Sequence, residues 1–382
     1  MDMQQVYKAG CFIGRVWRDD RAGPSVVTLR DGQVIDITTK AAPTVRDVME
    51  QPDPVAFIAA QPGEAVGTLE AVLNGSATGI RLLAPVDLQA VKACGVTFAR
   101  SMLERVIEEK AAGNPDLAAK VRDRISALIG DSLRNLKAGS PEAERVKAAL
   151  IEEGVWSQYL EVGIGPDAEV FTKAPVLASV GHGSDVGIHP VSRWNNPEPE
   201  IVLAVDSRGA IKGAALGNDV NLRDVEGRSA LLLGKAKDNN ASCAIGPFIR
   251  LFDESFTLDD VRQAELELTV EGADGFVLKG ASRMSEISRD PTDLVAQTIG
   301  PHHQYPDGLV LFLGTLFAPV EDRDAPGQGF THHVGDRVTI ASPKLGALTN
   351  VVRLTTDCAP WTFGLADLMR NLASRGLLGR EG

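Results

Sequence analysis

This 382-residue sequence has fewer basic residues than acidic ones. It contains 39 lysines and arginines against 51 aspartates and glutamates, and its formal net charge is −12. Nucleic-acid binding depends on clustered lysine and arginine that neutralise phosphates, so a nucleic-acid partner is not expected. Long apolar runs are also missing, because the longest, GLVLFLGTLFAPV, is shorter than the roughly 20 residues that span a bilayer. We therefore expect neither a nucleic acid nor a membrane as a partner.

Two further absences concern the cellular compartment. The first ten residues, MDMQQVYKAG, lack the apolar core of a signal peptide. The four cysteines, Cys11, Cys94, Cys243 and Cys358, lie far apart and form neither a CxxC pair nor a zinc-binding pattern. Such isolated cysteines are typical of proteins in a reducing compartment. The sequence predicts a cytoplasmic protein.

The chain divides into two predicted domains. Hydrophobic residues make up 44% and charged residues 24%, which is the balance of an ordinary globular protein. Residues 1–88 mix β-like runs such as SVVTLRDGQVIDIT with one helical stretch, which predicts a small N-terminal α+β domain. Residues 89–382 begin with a strand and continue with a helical insert at about 104–153, where apolar residues have helical spacing. After residue 160, short Val/Ile/Leu runs alternate with hairpin turns such as DSRG and EGADG, so we expect an α+β fold with a β-rich core.

Two glutamates, Glu198 and Glu200, stand one residue apart at the start of the apolar run IVLAV. Side chains at positions i and i+2 of a strand point to the same face, so these carboxylates repel each other unless a cation lies between them. Asp219, in ALGNDVNLRD, supplies a third acid from a later strand. Oxygen ligands suit a hard cation such as Mg²⁺, and the lack of an adjacent histidine or cysteine argues against zinc. A bare ExE motif is far more often a solvated strand end than a metal site, because short motifs match by chance, so the motif alone does not establish a site.

Five sequence blocks around these acids resemble the fumarylacetoacetate hydrolase superfamily. They occur in the same order as in that family, and together they extend over most of the region from about 90 to 355. The blocks are FTKAP at 171–175, PEPEIVLAVDSRGAIKGAALGNDVNLRD at 197–224, CAIGP at 243–247, PDGLVLFLGT at 306–315 and GDRVTIASPKLGALTN at 335–350.

The resemblance implies a fold, a cofactor and an assembly. The fold would be the mixed β-sandwich roll of the fumarylacetoacetate hydrolase C-terminal type. The cofactor would be Mg²⁺, with Mn²⁺ as the alternative, held by Glu198, Glu200 and Asp219. Members of the family usually form homodimers and sometimes homotetramers, so a homo-oligomer is expected.

The family also uses a lysine ahead of its GP motif, and GKAKDNNASCAIGP offers two, Lys235 and Lys237. Lys237 lies nine residues before Gly246, which matches the family spacing and makes it the favoured catalytic residue. A lysine near a metal and a carbonyl either acts as a base with a lowered pKa or stabilises an enolate as a cation. The sequence leaves these two roles open.

The segment GVTFARSMLE, residues 95–104, corresponds to the lid motif GxNYxxHxxE of hydrolytic family members. Ser101 occupies the histidine position, and a serine cannot act as a general base without a partner base. The segment is more similar to VTYxxSxxAR of the 2-keto-3-deoxypentonate dehydratase branch, and SRWNNPEPE resembles HWNxPEPE of the same branch. The resemblance suggests Ser101 and Glu104 as further catalytic residues. The suggested substrate contacts are Arg100, Arg105, His182, Thr315 and Thr349.

The resemblance implies a metal-dependent dehydratase that acts on a small 2-oxo sugar acid. The substrate would be a 2-keto-3-deoxypentonate derived from D-xylonate or D-arabinonate, and the products 2-oxoglutarate semialdehyde and water. The alternative is a hydrolase or decarboxylase of an acylpyruvate or 1,3-diketo acid. A binding protein without catalytic activity is disfavoured, because the acid triad and the lysine are complete.

Overall fold

Two β-sheets form the frame of the computed structural model. The larger sheet has eleven strands and the smaller has five. The structure describes residues 6–8, 10–98, 102, 106, 136–152, 154, 156–317, 319, 321–325 and 329–379. Within these residues the strands are β1 Phe12–Arg18, β2 Gly23–Arg30, β3 Gln33–Asp36, β4 Glu64–Thr68, β5 Ile80–Leu83, β6 Ala90–Gly95, β7 Glu169–Ala174, β8 Asp185–Ile188, β9 Pro199–Val205, β10 Ile211–Asp219, β11 Cys243–Leu251, β12 Glu265–Glu271, β13 Val277–Arg283, β14 Leu309–Phe312, β15 Arg337–Ser342 and β16 Gly346–Leu354.

The helices of the described residues are short and lie around the sheets. The longest runs from Pro141 to Glu152, and none is long and apolar enough to cross a membrane. They are α1 Val45–Met49, α2 Pro54–Ala60, α3 Leu69–Leu73, α4 Pro141–Glu152, α5 Gln158–Ile164, α6 Arg223–Glu226, α7 Leu233–Lys237, α8 Leu258–Arg262, α9 Pro291–Thr298 and α10 Leu365–Ser374, with 3₁₀ turns at Asp19–Arg21, Ala230–Leu232 and Met284–Glu286.

The larger sheet has the order β4-β3-β2-β1-β11-β10-β9-β14-β6-β7, and β5 also pairs with β1. The smaller sheet has the order β13-β12-β15-β16-β8. Most neighbours are antiparallel, but β14 runs parallel to β6 and β16 runs parallel to β8. Both sheets are therefore mixed, and the predicted α+β class is confirmed.

Burial follows the sequence pattern of each strand. All seven residues of β9, PEIVLAV, are buried. Ile201 and Leu203 pack into the core between the two sheets, whereas Val202 and Ala204 pack into a second core on the opposite face. A strand that is covered on both faces has no polar alternation, which explains its continuous apolar run. In contrast, β12, ELELTVE, alternates between exposed and buried residues because one of its faces meets solvent.

The predicted hairpins are present. The DSRG turn joins β9 to β10, and the EGADG turn joins β12 to β13; both pairs are antiparallel. Pro141 is the first residue of α4, as the SPEAE sequence predicts, because proline is well tolerated at a helix start. A closing helix beyond Trp361 is also present, as α10.

The two predicted domains share one sheet. β1 pairs with β11 through Phe12–Arg250 and Ile13–Ile249, so the N-terminal strands extend the sheet that carries β9 and β10. The boundary at residue 88 stays a prediction. Most of the predicted helical insert at 104–153 lies outside the described residues, and its described end contains α4.

Candidate metal centre

The open end of the β9–β10 hairpin brings three acids together. Glu198 directly precedes β9, Asp219 ends β10, and the Asp219 N–H donates to the Glu198 carbonyl at 3.0 Å. Glu200 is the second residue of β9 and lies opposite Gly217. Each of the three carboxylates offers an oxygen, and these oxygens all lie within 4.8 Å of one another. The exposed fractions are 5% for Glu198, 2% for Glu200 and 1% for Asp219, so this is a buried cluster and not a solvated strand end.

A backbone amide orients Glu200. The Gly314 N–H donates to Glu200 Oε2 at 2.7 Å. Gly314 has a φ of +87°, which favours glycine, and a Cβ atom there would collide with the Thr97 side chain. Thr97 is itself held in place, because its hydroxyl donates to the Leu313 carbonyl at 2.6 Å. The glycine of the FLGT block therefore allows the main chain to approach the acid.

Two asparagines hold Glu198, one on β10 and one just after that strand. Asn218 Oδ1 accepts the Glu198 N–H, and Asn221 Nδ2 donates to Glu198 Oε1, both at 3.1 Å. Both asparagines are fully buried. Sequence reasoning did not single them out, although Asn221 lies two residues after Asp219, where a polar side chain reaches the same face of an extended chain.

Lys237 contacts two of the three acids. Its Nζ lies 2.5 Å from Glu198 Oε2 and 3.1 Å from Asp219 Oδ2, and the residue is 3% exposed. Lys235 is exposed on the same short helix, α7. The structure thus brings Lys237 into the acid cluster and leaves Lys235 at the surface.

A second buried lysine, Lys173 on β7, was missed by sequence reasoning. Its Nζ lies 2.7 Å from Asp219 Oδ1 and donates to the Val220 carbonyl at 3.2 Å and to the Lys237 carbonyl. The FTKAP block contains this residue. A lysine in a strand of a buried sheet is rarely fully buried without a partner charge, and that was the available signal.

The charges of the cluster do not balance. Two ammonium groups against three carboxylates give a net charge of 2 − 3 = −1. Burial raises the pKa of Glu200 well above its ordinary value, and the charges of Asp219 and Glu198 raise it further, against an opposing effect of Lys237. A divalent cation would relieve this repulsion, and an all-carboxylate ligand set is the kind that Mg²⁺ binds. The residues therefore fit a hard divalent metal ion.

The pKa of Lys237 is raised in this cluster and not lowered. Burial alone would lower the pKa of Lys237, but Asp219, Glu198 and Glu226 together outweigh it and raise the pKa above its ordinary value. Lys237 is therefore a cation in the metal-free cluster. Both sequence-based roles stay open for the metal-bound cluster, because a metal ion would offset the charges of the same carboxylates.

Three of the predicted substrate-binding residues, Thr315, His182 and Thr349, lie in the described part of the structure. Thr315 is half-buried beside Gly314, and its hydroxyl accepts the Phe317 N–H at 3.1 Å. His182 Nδ1 accepts the Thr349 N–H, and His182 Nε2 lies 3.1 Å from the Leu73 carbonyl, so both ring nitrogens already contact the backbone. Burial lowers the pKa of His182, which keeps the ring neutral. A substrate contact by His182 stays a prediction, as does one by Thr349.

Four further predicted residues lie in the lid segment or directly after it. The buried side chains of Met102, in this segment, and of Val106, two residues after it, pack against α4 and α5. The residues Arg100, Ser101, Glu104 and Arg105 lie outside the described residues.

Known proteins share this fold. The family model of the fumarylacetoacetate (FAA) hydrolase C-terminal domain matches residues 165–353, a range that contains all three acids and both buried lysines. The chain belongs to the fumarylacetoacetate hydrolase superfamily, and the sandwich type expected from the sequence is confirmed.

Two curated relatives are dehydratases by name. A probable 2-keto-3-deoxyxylonate dehydratase of Haloferax volcanii is 28% identical over 256 residues, which cover 67% of this chain and 84% of that protein. The 2-dehydro-3-deoxy-D-arabinonate dehydratase of Saccharolobus solfataricus is 30% identical over 188 residues, which cover 48% of this chain and 58% of that protein.

Solved structures share the fold over almost the whole chain. A 2-keto-3-deoxy-D-arabinonate dehydratase complexed with magnesium and 2,5-dioxopentanoate superposes with a TM-score of 0.64 at 20% identity, covering 91% of this chain and 99% of that chain. A fumarylacetoacetate hydrolase from Exiguobacterium antarcticum superposes with a TM-score of 0.55 at 15% identity, covering 90% and 99%. At these identities the superpositions establish a common fold.

Proposed function

We propose that this protein is a metal-dependent dehydratase that converts a 2-keto-3-deoxypentonate to 2-oxoglutarate semialdehyde and water. The observation that carries the proposal is the buried triad Glu198, Glu200 and Asp219, with Lys237 in contact with two of its members. The names of the two curated relatives support the substrate class. The related structure with 2,5-dioxopentanoate, which is the semialdehyde itself, supports the product. The reaction would belong to the oxidative degradation of pentoses.

Glu198, Glu200 and Asp219 would hold the metal ion, with Mg²⁺ as the first candidate and Mn²⁺ as the second. When bound, such an ion polarises the 2-oxo group of a substrate and makes the neighbouring C–H bond more acidic. The remaining chemistry falls to the protein side chains.

The proposed reaction is an elimination followed by a proton shift. Carbon 3 loses a proton and carbon 4 loses its hydroxyl, which gives water and a double bond between these carbons. A proton then moves from carbon 5 to carbon 3, and the resulting enol becomes the aldehyde. Each step needs an acid or a base and no attacking water. This agrees with serine, not histidine, at position 101 of the lid.

Lys237 would face the substrate as a cation. An ammonium has three N–H donors, and two of those of Lys237 have acceptors among the described residues, Glu198 and Asp219. The third has no acceptor among the residues that the structure describes, and it would be the donor offered to a substrate oxygen. There it would stabilise the charge that develops on the 2-oxo group or protonate the departing hydroxyl.

The other proposed participants are the residues expected from the sequence. Ser101 and Glu104 are the proposed partners in proton transfer, and Thr315 is placed next to Gly314, whose amide holds Glu200. The proposed contacts to the substrate carboxylate and hydroxyls are Arg100, Arg105, His182, Thr315 and Thr349. We also propose that the protein is cytoplasmic and forms a homodimer or homotetramer, which light scattering after size-exclusion chromatography would test.

The test is a comparison of substrates with the purified protein. Both C4 enantiomers of 2-keto-3-deoxypentonate and one acylpyruvate are offered with Mg²⁺, and the aldehyde product is followed by mass spectrometry. We expect loss of water from one enantiomer, no cleavage of the acylpyruvate, and loss of activity with a chelator. Cleavage of the acylpyruvate to pyruvate without any dehydration would overturn the proposal in favour of a hydrolase.

A further inference from the structure

Lys173 lies under the acid cluster with no exposed surface. Its nitrogen forms an ion pair with Asp219 Oδ1 at 2.7 Å and donates to the Val220 and Lys237 carbonyls. All three contacts are to buried protein groups. Lys173 therefore presents no surface to a substrate.

The position of Lys173 links two parts of the proposed centre. Asp219 is held from both sides, because Oδ1 lies 2.7 Å from Lys173 and Oδ2 lies 3.1 Å from Lys237. The same Lys173 ammonium binds the main chain of Lys237, the last residue of α7. One buried group thus contacts a proposed metal ligand and the backbone of the proposed catalytic lysine.

The stability of the core does not explain well why a charged residue is buried at position 173. Removing an ammonium from water is unfavourable, and buried ion pairs are often replaced by apolar residues without loss of stability. A methionine has nearly the volume of lysine and would fill the site. Moreover, Ser242 Oγ also donates to the Lys237 carbonyl at 2.8 Å, so α7 keeps a backbone contact without Lys173. The distinctive contribution of the ammonium is the placement of Asp219 relative to Lys237.

We propose that Lys173 is a positioning residue that fixes Asp219 and Lys237 relative to each other for metal binding and turnover. This inference rests on the proposed function for its turnover part, whereas its metal-binding part is independent of any substrate. Residues that orient metal ligands typically contribute about 10- to 100-fold to metal affinity.

The alternative is that Lys173 acts on the metal ion only through its charge. The two roles predict opposite changes in metal affinity when Lys173 is replaced. If Lys173 acts only through its charge, then Lys173→Met removes a cation from the metal's surroundings and tightens metal binding. If Lys173 positions Asp219, the same substitution weakens metal binding because the ligand is no longer held. The direction of the change therefore separates the two roles.

The experiment measures Mn²⁺ binding by the electron paramagnetic resonance signal of free Mn²⁺, in the full-length protein without substrate. We expect Lys173→Met to weaken binding by about 10- to 100-fold and Lys173→Gln, which keeps two N–H donors, to weaken it less. The matched control is Lys212→Met, because Lys212 lies on β10 and pairs with Asp206 at the other end of the hairpin. This control should bind Mn²⁺ like the wild type.

A second readout is the steady-state rate at saturating metal. Lys173→Met should lower kcat by about 10- to 100-fold, the loss expected for a misplaced catalytic group, with little change in KM, because Lys173 does not contact the substrate. Tighter Mn²⁺ binding or an unchanged kcat in Lys173→Met would overturn the inference. If Lys173→Met does not fold, as judged by circular dichroism, Lys173→Gln decides the question by the same criteria.

The outcomes separate this inference from the proposed function. A wild type that binds Mn²⁺ but dehydrates no 2-keto-3-deoxypentonate would end the proposed function, while weaker Mn²⁺ binding in the variants would still support positioning by Lys173. A wild type that binds no Mn²⁺ would overturn both.

Discussion

The β9–β10 hairpin carries buried acids at both of its ends, and the two ends compensate these charges differently. At the turn, Asp206 has no exposed surface. Its Oδ1 accepts the N–H groups of Arg208 and Ala210, both at 2.9 Å. Its Oδ2 lies 2.7 Å from Arg208 and 3.4 Å from Lys212. One carboxylate thus has two cations, a balance of 2 − 1 = +1.

The open end has the reverse balance, with three carboxylates and two lysines. The pKa values record the difference. Burial raises the pKa of both acids, but for Asp206 the hydrogen bonds and charges of the turn outweigh burial and lower the pKa. For Glu200 the neighbouring carboxylates add to burial and the pKa rises. A buried acid is therefore no sign of a metal site by itself; a buried acid whose charge remains uncompensated is one.

The largest expected effect is on metal affinity, when one acid at the open end of the hairpin is replaced by its neutral amide. Glu200→Gln keeps an oxygen for the Gly314 N–H but removes one ligand charge. We expect metal affinity to fall by more than the roughly 10- to 100-fold typical of outer contacts, with a parallel loss of turnover, and Asp219→Asn should behave alike. Isothermal titration with Mg²⁺ measures the affinity.

The same variant also tests the charge comparison without metal. Since Glu200 is a repelled acid with a raised pKa, Glu200→Gln should leave the metal-free protein at least as stable as the wild type in thermal unfolding. Asp206→Asn is the matched control and should bind Mg²⁺ normally. Normal Mg²⁺ affinity in Glu200→Gln would remove Glu200 from the ligand set.

An intermediate effect is expected for Lys237→Met. Turnover should fall by about 10²- to 10⁴-fold, the usual contribution of a group that transfers or donates a proton. Metal binding should be retained, because a cation leaves the cluster while Lys173 still holds Asp219. Mn²⁺ binding and kcat measured on the same preparation check both parts. Loss of Mn²⁺ binding together with turnover would instead make Lys237 a structural member of the cluster.

The smallest effect is expected at the turn, in stability alone. Asp206→Asn should lower the free energy of unfolding at pH 7 by about 1–3 kcal/mol, because buried donors lose their charged acceptor. A lowered pKa means that the Asp206 carboxylate stabilises the fold above its unfolded pKa of about 3.9 and that this contribution is lost as the pH falls through the folded pKa.

Urea unfolding between pH 3 and pH 7 measures this difference between the wild type and Asp206→Asn. The difference should be largest at neutral pH and shrink below about pH 4. A difference that does not change with pH would mean that Asp206 acts by packing and not by charge.

Local sequence patterns predicted the structural features that depend only on residues close together in the chain. The DSRG and EGADG turns, the helix start at Pro141 and the pairing of Glu198 with Glu200 on one face all follow from short-range rules. Asp219 could be grouped with Glu198 and Glu200 because the antiparallel hairpin brings the end of β10 back to the start of β9.

Contacts that join distant segments could not be predicted in this way. Lys173 binds Val220, 47 residues later, which directly follows β10, a strand that is not next to β7 in the sheet. The Gly314 amide that holds Glu200 is a backbone group, which has no residue type to recognise. The pKa of Lys237 depends on how many carboxylates surround it, and the sequence left that direction open.

The pairing of β1 with β11 has a consequence for any attempt to shorten the chain. Ile13 and Ile249 are partners in that pair and belong to the same hydrophobic core. Cutting at residue 88 would uncover the backbone edge of β11, which is the direct neighbour of β10. Unprotected sheet edges recruit other chains, so the truncated product would aggregate instead of behaving as a minimal enzyme.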